Sequence, residues 1–384
     1  MSLVYVIAGE SSGDVLGARL LLALRKARPG LEAAGIGGDR LAETGLASLF
    51  PMQELALMGL LEVLPNIRNL SRRLDQTVAD ITARRPAVVV TIDSPSFTLR
   101  IAERIRPLGI PIVHYVAPQV WGWRPGRVKK IARLVDRLLC LLPFEPAFFR
   151  AAGMDARFVG HPVLESGADQ GDAARFRARH GILPEERVVL VMPGSRRTEV
   201  SRMLPVFGEA LRLAAARLPG LRPVVPLAGP VEKSVAAAAA GWSPAPILLR
   251  DIGEKHDAFA AASAGLIKSG TSSLEVALAR VPLLVGYRVN PVTAAIVRRL
   301  VTVKYASIVN LLADAPVLPE FIQENCTPAL LAETLVGLLT DPAVAAAQLA
   351  AAGAVMDALR PPGGGSPSEA AAAAVLDLLD RPPP

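Results

Sequence analysis

The chain has 384 residues, half of them apolar and a fifth charged, which excludes a disordered polymer and leaves room for two domains of ordinary size. Its net charge of +7 is uneven, with 21 basic against 15 acidic residues up to Glu165 and 21 against 20 beyond it; most of the basic residues are Arg, and no nucleic-acid partner is expected. Cys140 and Cys326 have neither CxxC spacing nor a histidine cluster beside them, which argues against a disulfide scaffold or a zinc site and fits a reduced, cytosolic setting.

The first predicted strand, Leu3–Ala8, runs into "GESSGD" and then an apolar-rich helix. Strand, small-residue loop and helix is the shape of a phosphate cradle, but Glu10 and Asp14 disfavour an anion there. Gly9, Ser11, Ser12 and Gly13 suit the close approach of a sugar. Glu10 and Asp14 either accept hydrogen bonds from its hydroxyls or cap the helix. No basic region leading a cleavable apolar stretch precedes this strand, and no apolar run reaches the ~18 residues of a membrane span, so a soluble or peripheral protein is expected.

The segment Glu54–Leu74 carries apolar residues, among them Met58 and Leu61, on more than one helix face, together with Arg68, Arg72 and Arg73. It reads either as a patch for an anionic lipid surface or as a helix buried against a sheet. Strands are then predicted over Ala87–Asp93, Ile112–Tyr115 and Arg137–Leu141. The first ends on Asp93, followed by Ser94 and Pro95; a carboxylate there is either a base for an incoming hydroxyl or a helix N-cap. In "HYVAPQVWGWRPGRVKKIA", Trp121 and Trp123 lie close to Arg124, Arg127, Lys129 and Lys130. That mixture can stack on a sugar and hold a phosphate, form an interfacial belt, or bury one tryptophan in the core.

The polar stretch His161–Phe176 is the expected linker, dividing the chain into domains 1–165 and 166–365, with a C-terminal helix and Pro-rich tail over 366–384. Beyond it, strands are predicted at Val188–Met192, Pro223–Leu227, Ala264–Ile267 and Leu283–Tyr287. Continuous apolar strands alternating with helices predict an α/β fold of two parallel, Rossmann-like sheets with a ligand cleft. After Met192, Gly194 and Ser195 turn the chain, and Arg196 sets a permanent charge at a strand's carboxyl end or pairs with Glu199. After Lys268, Ser269, Gly270, Thr271, Ser272 and Ser273 precede a helix, where they favour phosphate or serve as plain caps; Glu275 reaches ribose hydroxyls or faces solvent. The C-terminal helix is either frayed or docked. The four histidines lack metal-ligand spacing, and there is neither a GxSxG elbow nor a Walker A sequence.

Eight segments, "AGESSGD", "MGLLEVLP", "HYVAPQVWGWRPGRVKKIA", "LPFEPAFF", "FVGHPV", "PGSRRTEV", "SGTSSLEVAL" and "GYRVNPVT", together resemble the lipid-A-disaccharide synthase family, in order, from about residue 4 to residue 325. The resemblance implies a metal-independent, cofactor-free, inverting glycosyltransferase of the two-Rossmann GT-B type. It would move 2,3-diacylglucosamine from UDP-2,3-diacylglucosamine to the 6-hydroxyl of 2,3-diacylglucosamine 1-phosphate, giving a β-1,6 disaccharide phosphate and UDP. Carried onto this chain, the family's IDxP aspartate falls on Asp93 as general base, with Glu10 the runner-up. Its PGSR arginine falls on Arg196 and its VNLL-type asparagine on Asn310, both at the donor diphosphate or sugar. Ile308 and Val309 stand where a Leu-Pro pair is expected before Asn310. Peripheral association with the cytoplasmic face of the anionic inner membrane is also implied, and homodimerisation is left open.

Overall fold

The computed structural model describes residues 2–56, 63–122, 125–291, 293–295 and 303–380. Two compact units divide the chain: Met1–Pro162 with Leu359–Pro384, and Val163–Ala358.

In the first unit β1 (Leu3–Ala8), β2 (Glu32–Ile36), β3 (Val88–Ile92), β4 (Ile112–Tyr115), β5 (Arg137–Cys140) and β6 (Ala156–Phe158) form one parallel sheet in the order β2-β1-β3-β4-β5-β6. Alternate residues serve opposite faces. Tyr5, Ile7, Val89, Ile112 and Leu138 join one core with Phe97 and Ile101, while Val4, Val6, Val90, Val113 and Leu139 join another with Leu20 and Leu24. Because both faces are covered, the strands read as unbroken apolar runs. β2 is the exception, an Ala/Gly strand that apolar patterning does not reveal. Gly35 takes φ 140°, and a Cβ there would stand 1.8 Å from the Val6 carbonyl oxygen, so only glycine lets β2 pair with β1.

The C-terminal helix Pro367–Leu379 docks on this first unit. Its Ala371, Ala372 and Val375 enter the second of those cores. The fully buried Arg137 of β5 pairs with Asp155 at 2.7 Å and Asp377 at 2.9 Å, and also donates to the Ala374 carbonyl. Lys26 and Arg28 add ion pairs to Glu369 and Asp380 at 2.8 and 2.7 Å.

In the second unit β7 (Arg187–Met192), β8 (Leu221–Pro226), β9 (Ile247–Leu249), β10 (Ala262–Lys268), β11 (Leu283–Tyr287) and β12 (Glu320–Ile322) form a parallel sheet in the order β12-β11-β10-β7-β8-β9. Phe207 and Leu211 of the helix Arg197–Arg217, with Leu331 and Leu335 of Pro328–Thr340, cover one face. Each sheet therefore reverses its winding once, between β1 and β3 and between β7 and β10. Ligands of doubly wound sheets bind outside the carboxyl ends of the strands at such a switch point. Among the described residues no single helix is long and apolar enough to cross a membrane.

Candidate active site

At the first switch point, β3 leads directly into Asp93 and Ser94, both left-handed with φ 49° and 45°, and Pro95 then opens the helix Pro95–Ile105. Immediately after the neighbouring strand β4, Val116 also takes a positive φ, 79°, which is costly for a β-branched residue. Three such residues store about 1–3 kcal/mol each, and strain of this kind collects at functional sites. Surrounding hydrogen bonds hold the turn in place: Asp93 N–H donates to Tyr115 O at 2.9 Å, and the Thr98 hydroxyl donates to Asp93 O at 2.8 Å.

Asp93 lines a pocket of about 510 Å³ whose wall includes Leu99, Val116 and Ile131. Burial raises its carboxyl above the ordinary aspartate value, opposed only by the N–H of Ser94. A carboxylate made more basic by desolvation and set in a ligand-sized pocket is chemically suited to accept a proton.

The β1 loop meets this turn from the adjacent strand. A Cβ on Gly9 would fall 2.5 Å from Ser94 Oγ, so this glycine makes room for Ser94 rather than for a ligand. Asp14 departs from its expected place at a sugar. It is buried and accepts from the N–H groups of Gly38 (2.7 Å), Arg40 (2.9 Å) and Leu41 (3.1 Å), so it satisfies the amino end of the helix Asp39–Glu43. It caps a helix, but not its own. Glu10 stays exposed at the end of the loop, and Ser11 and Ser12, expected in that loop, are exposed in the first turn of the helix Ser11–Ala27 instead.

Trp121 is half-buried, and its indole N–H donates to Glu145 at 3.1 Å while its ring meets Phe144 edge-on at 4.9 Å. Glu145 also accepts from the N–H groups of Leu141 and Leu142. Burial nevertheless pushes its carboxyl up to about 7. Trp121 thus fixes the loop beside the pocket through a polar anchor that sequence patterning does not reveal. Trp123, Arg124, Met58 and Leu61 lie outside the described residues.

The second switch point brings the β7 and β10 loops together. Gly194 takes φ 119°, and a Cβ on it would approach Glu199 Oε2 to 2.8 Å. Glu199, in the first turn of Arg197–Arg217, accepts from the N–H groups of Ser195 and Arg196 at 3.3 and 3.4 Å. Its other oxygen lies 3.0 Å from Lys268 Nζ and 3.3 Å from the exposed Arg196 guanidinium. Burial works to raise this carboxyl, but Lys268 and Arg196 outweigh it and hold it below the ordinary glutamate value. Lys268 also sits over the Tyr287 ring at 4.8 Å.

Other expected donor contacts are engaged internally. The buried Ser269 hydroxyl donates to Ala306 O at 2.7 Å, and Glu275 pairs with Lys255 at 2.8 Å. Asn310, 1% exposed, departs most clearly from expectation. Its amide donates to Leu318 O and Glu320, both at 2.8 Å, and accepts from Leu318 N–H at 2.7 Å. With both NH2 hydrogens and its oxygen engaged, it orders the loop before β12 instead of touching a ligand. Thr271, exposed, and Ser272, half-exposed, remain at the mouth of the loop.

Two doubly wound parallel sheets, each with its loops gathered at one switch point, make this an α/β protein of the two-Rossmann GT-B type. The same fold is seen in MnaA of S. aureus, solved with UDP (TM-score 0.67, 15% identity, 98% of this chain and 95% of that one), and in Acinetobacter baumannii MurG (TM-score 0.57, 14% identity, 99% of each). At these identities the likeness is one of fold alone. Sequence goes further: the family model described as lipid-A-disaccharide synthetase matches residues 4–371. The lipid-A-disaccharide synthases of Granulibacter bethesdensis and Gluconobacter oxydans are 56% and 53% identical, over 88% and 99% of this chain and 86% and 91% of theirs. The chain belongs to the lipid-A-disaccharide synthetase family, and it is a glycosyltransferase of lipid A biosynthesis.

Proposed function

We propose that the enzyme transfers 2,3-diacylglucosamine from UDP-2,3-diacylglucosamine to the 6-hydroxyl of 2,3-diacylglucosamine 1-phosphate. The products are the β-1,6-linked disaccharide 1-phosphate and UDP. The observation that carries this reading is Asp93, strained, desolvated and facing its own pocket. It takes the proton of the 6-hydroxyl as that oxygen attacks the donor's anomeric carbon from the face opposite the diphosphate, so the configuration inverts. The bond to the β-phosphate oxygen breaks, and UDP leaves with the electron pair. Fixed charge from Arg196 and Lys268 in the second unit offsets the charge that develops on the diphosphate, without a metal ion.

The donor is assigned to the β7 and β10 loops and the acceptor to the Asp93 pocket, with Glu10 and Ser12 at its sugar. Peripheral attachment to the cytoplasmic face of the inner membrane belongs to the same reading. It is supported by the basic excess of the first 165 residues and by exposed Lys129 and Arg133. The test is UDP release in neutral detergent without added divalent ions. Release that requires both acylated substrates supports transfer, whereas turnover of the donor alone points to a hydrolase or epimerase on the same fold.

A further inference from the structure

The pocket beside Asp93 is lined by the apolar Leu99, Ile131 and Leu134 and carries four ionisable groups, Asp93, Glu103, Arg127 and Lys130. Their pairing is unequal. Lys130 Nζ lies 3.2 Å from Glu103, so those two offset each other. Arg127 is exposed and makes no side-chain hydrogen bond or ion pair with any described residue. One pocket therefore holds a base and a guanidinium with no anionic partner among the described residues.

Arg127 is also well placed mechanically. It directly precedes the helix Val128–Ala132; Ile131 of that helix and Leu134 just beyond it are rooted in the core while lining the pocket. The residues that form the apolar wall thus fix the backbone that carries the charge. A ligand matching this set of groups carries a reacting hydroxyl, a separate anion and hydrocarbon. In a 2,3-diacylated hexose 1-phosphate that is reacting at its 6-hydroxyl, those two groups diverge from the two carbons that flank the ring oxygen, and the acyl chains leave from the C2–C3 edge on the other side of the ring.

We propose that Arg127 binds the anomeric phosphate of the acceptor in this pocket, while Leu99, Ile131 and Leu134 take up part of an acyl chain. The inference rests on the transferase reading above and adds the group that selects a phosphorylated acceptor. Arg is suited to the task because its planar fork matches two phosphate oxygens at once.

The test compares wild type with Arg127→Ala and Arg127→Lys on two acceptors, 2,3-diacylglucosamine with and without its 1-phosphate, in neutral detergent micelles. Wild type is expected to lose about 10- to 100-fold in kcat/KM when the phosphate is removed. Arg127→Ala is expected to lose as much on the phosphorylated acceptor and little more on the other, with partial recovery in Arg127→Lys and unchanged UDP affinity. An equal loss on both acceptors overturns the proposal. So does a defect seen only with vesicles of anionic lipid and absent in neutral micelles, which assigns Arg127 to the membrane surface. Binding of the phosphorylated acceptor, followed by tryptophan fluorescence, keeps the two readings separate. If wild type transfers to neither acceptor, the transferase reading fails, while weaker binding by Arg127→Ala still supports the phosphate site and equal binding refutes it.

Discussion

The Glu199 carboxylate stands 3.0 Å from the Lys268 ammonium, and that contact ties the first turn of the helix after β7 to the last residue of β10. Both side chains are nearly buried, at 10% and 13% exposure, so the pair acts in a lower dielectric than a surface ion pair. Glu199→Gln keeps the shape of the bridge and removes its charge. UDP affinity by calorimetric titration is expected to fall about 10-fold as Lys268 and the loop lose their fixed geometry. Unchanged affinity would show that the bridge serves folding alone.

The same pair has a pH signature. Because Glu199 is held below its ordinary value in the folded protein, its stabilisation is present above the ordinary glutamate range. It is lost as pH falls through that depressed pKa. Urea midpoints of wild type and Glu199→Gln should therefore differ at pH 7 and converge as pH falls below the ordinary glutamate range. A gap that persists in acid would contradict the assignment.

Glu145 shifts in the opposite direction, up to about 7. A raised carboxyl favours the fold most below the ordinary glutamate value, and that contribution is lost as pH rises through 7. Since Glu145 accepts from the Trp121 indole, intrinsic fluorescence is expected to titrate near pH 7 and to lose that transition in Glu145→Gln. A flat wild-type profile between pH 5 and 9 would contradict the coupling.

Arg137 is the clamp of the C-terminal helix, with its buried charge shared between Asp155 and Asp377. Removing Asp377 leaves part of that charge uncompensated. Asp377→Ala is expected to cost about 1–3 kcal/mol in urea unfolding and to speed hydrogen exchange in Pro367–Leu379. Exchange unchanged in that helix would show that apolar contacts alone hold it.

The parts of the fold legible in the sequence are those whose physics is local. β1, β3, β7 and β11 announce themselves as apolar runs rich in Val, Ile and Leu because both faces of each sheet are covered. β2, β6, β9 and β12 are short or rich in small residues, and their pairing is fixed by neighbours in space, as Gly35 against Val6 illustrates. The same division runs through the site. Asp93 is legible because a buried strand ends on a carboxylate. Asp14 and Asn310 look equally chemical in sequence, yet their partners, Gly38 to Leu41 and Leu318 with Glu320, become visible only when the chain has folded. Glu199 reads as a surface partner for Arg196, and only the parallel pairing of β7 with β10 brings Lys268 to it.

Asp93 as the base of the transfer is the central claim, and the pH dependence of kcat/KM in wild type and Asp93→Asn tests it most directly. Deprotonated Asp93 is the active form, so wild-type activity should fall as pH drops through a pKa above the ordinary aspartate value, because burial raises it. Asp93→Asn should lose about 10²- to 10⁴-fold at pH 7, bind UDP normally and show no such acid limb. A variant that retains wild-type kcat/KM, or keeps the same acid limb, would contradict the account and move the base elsewhere, with Glu10 next to be tested.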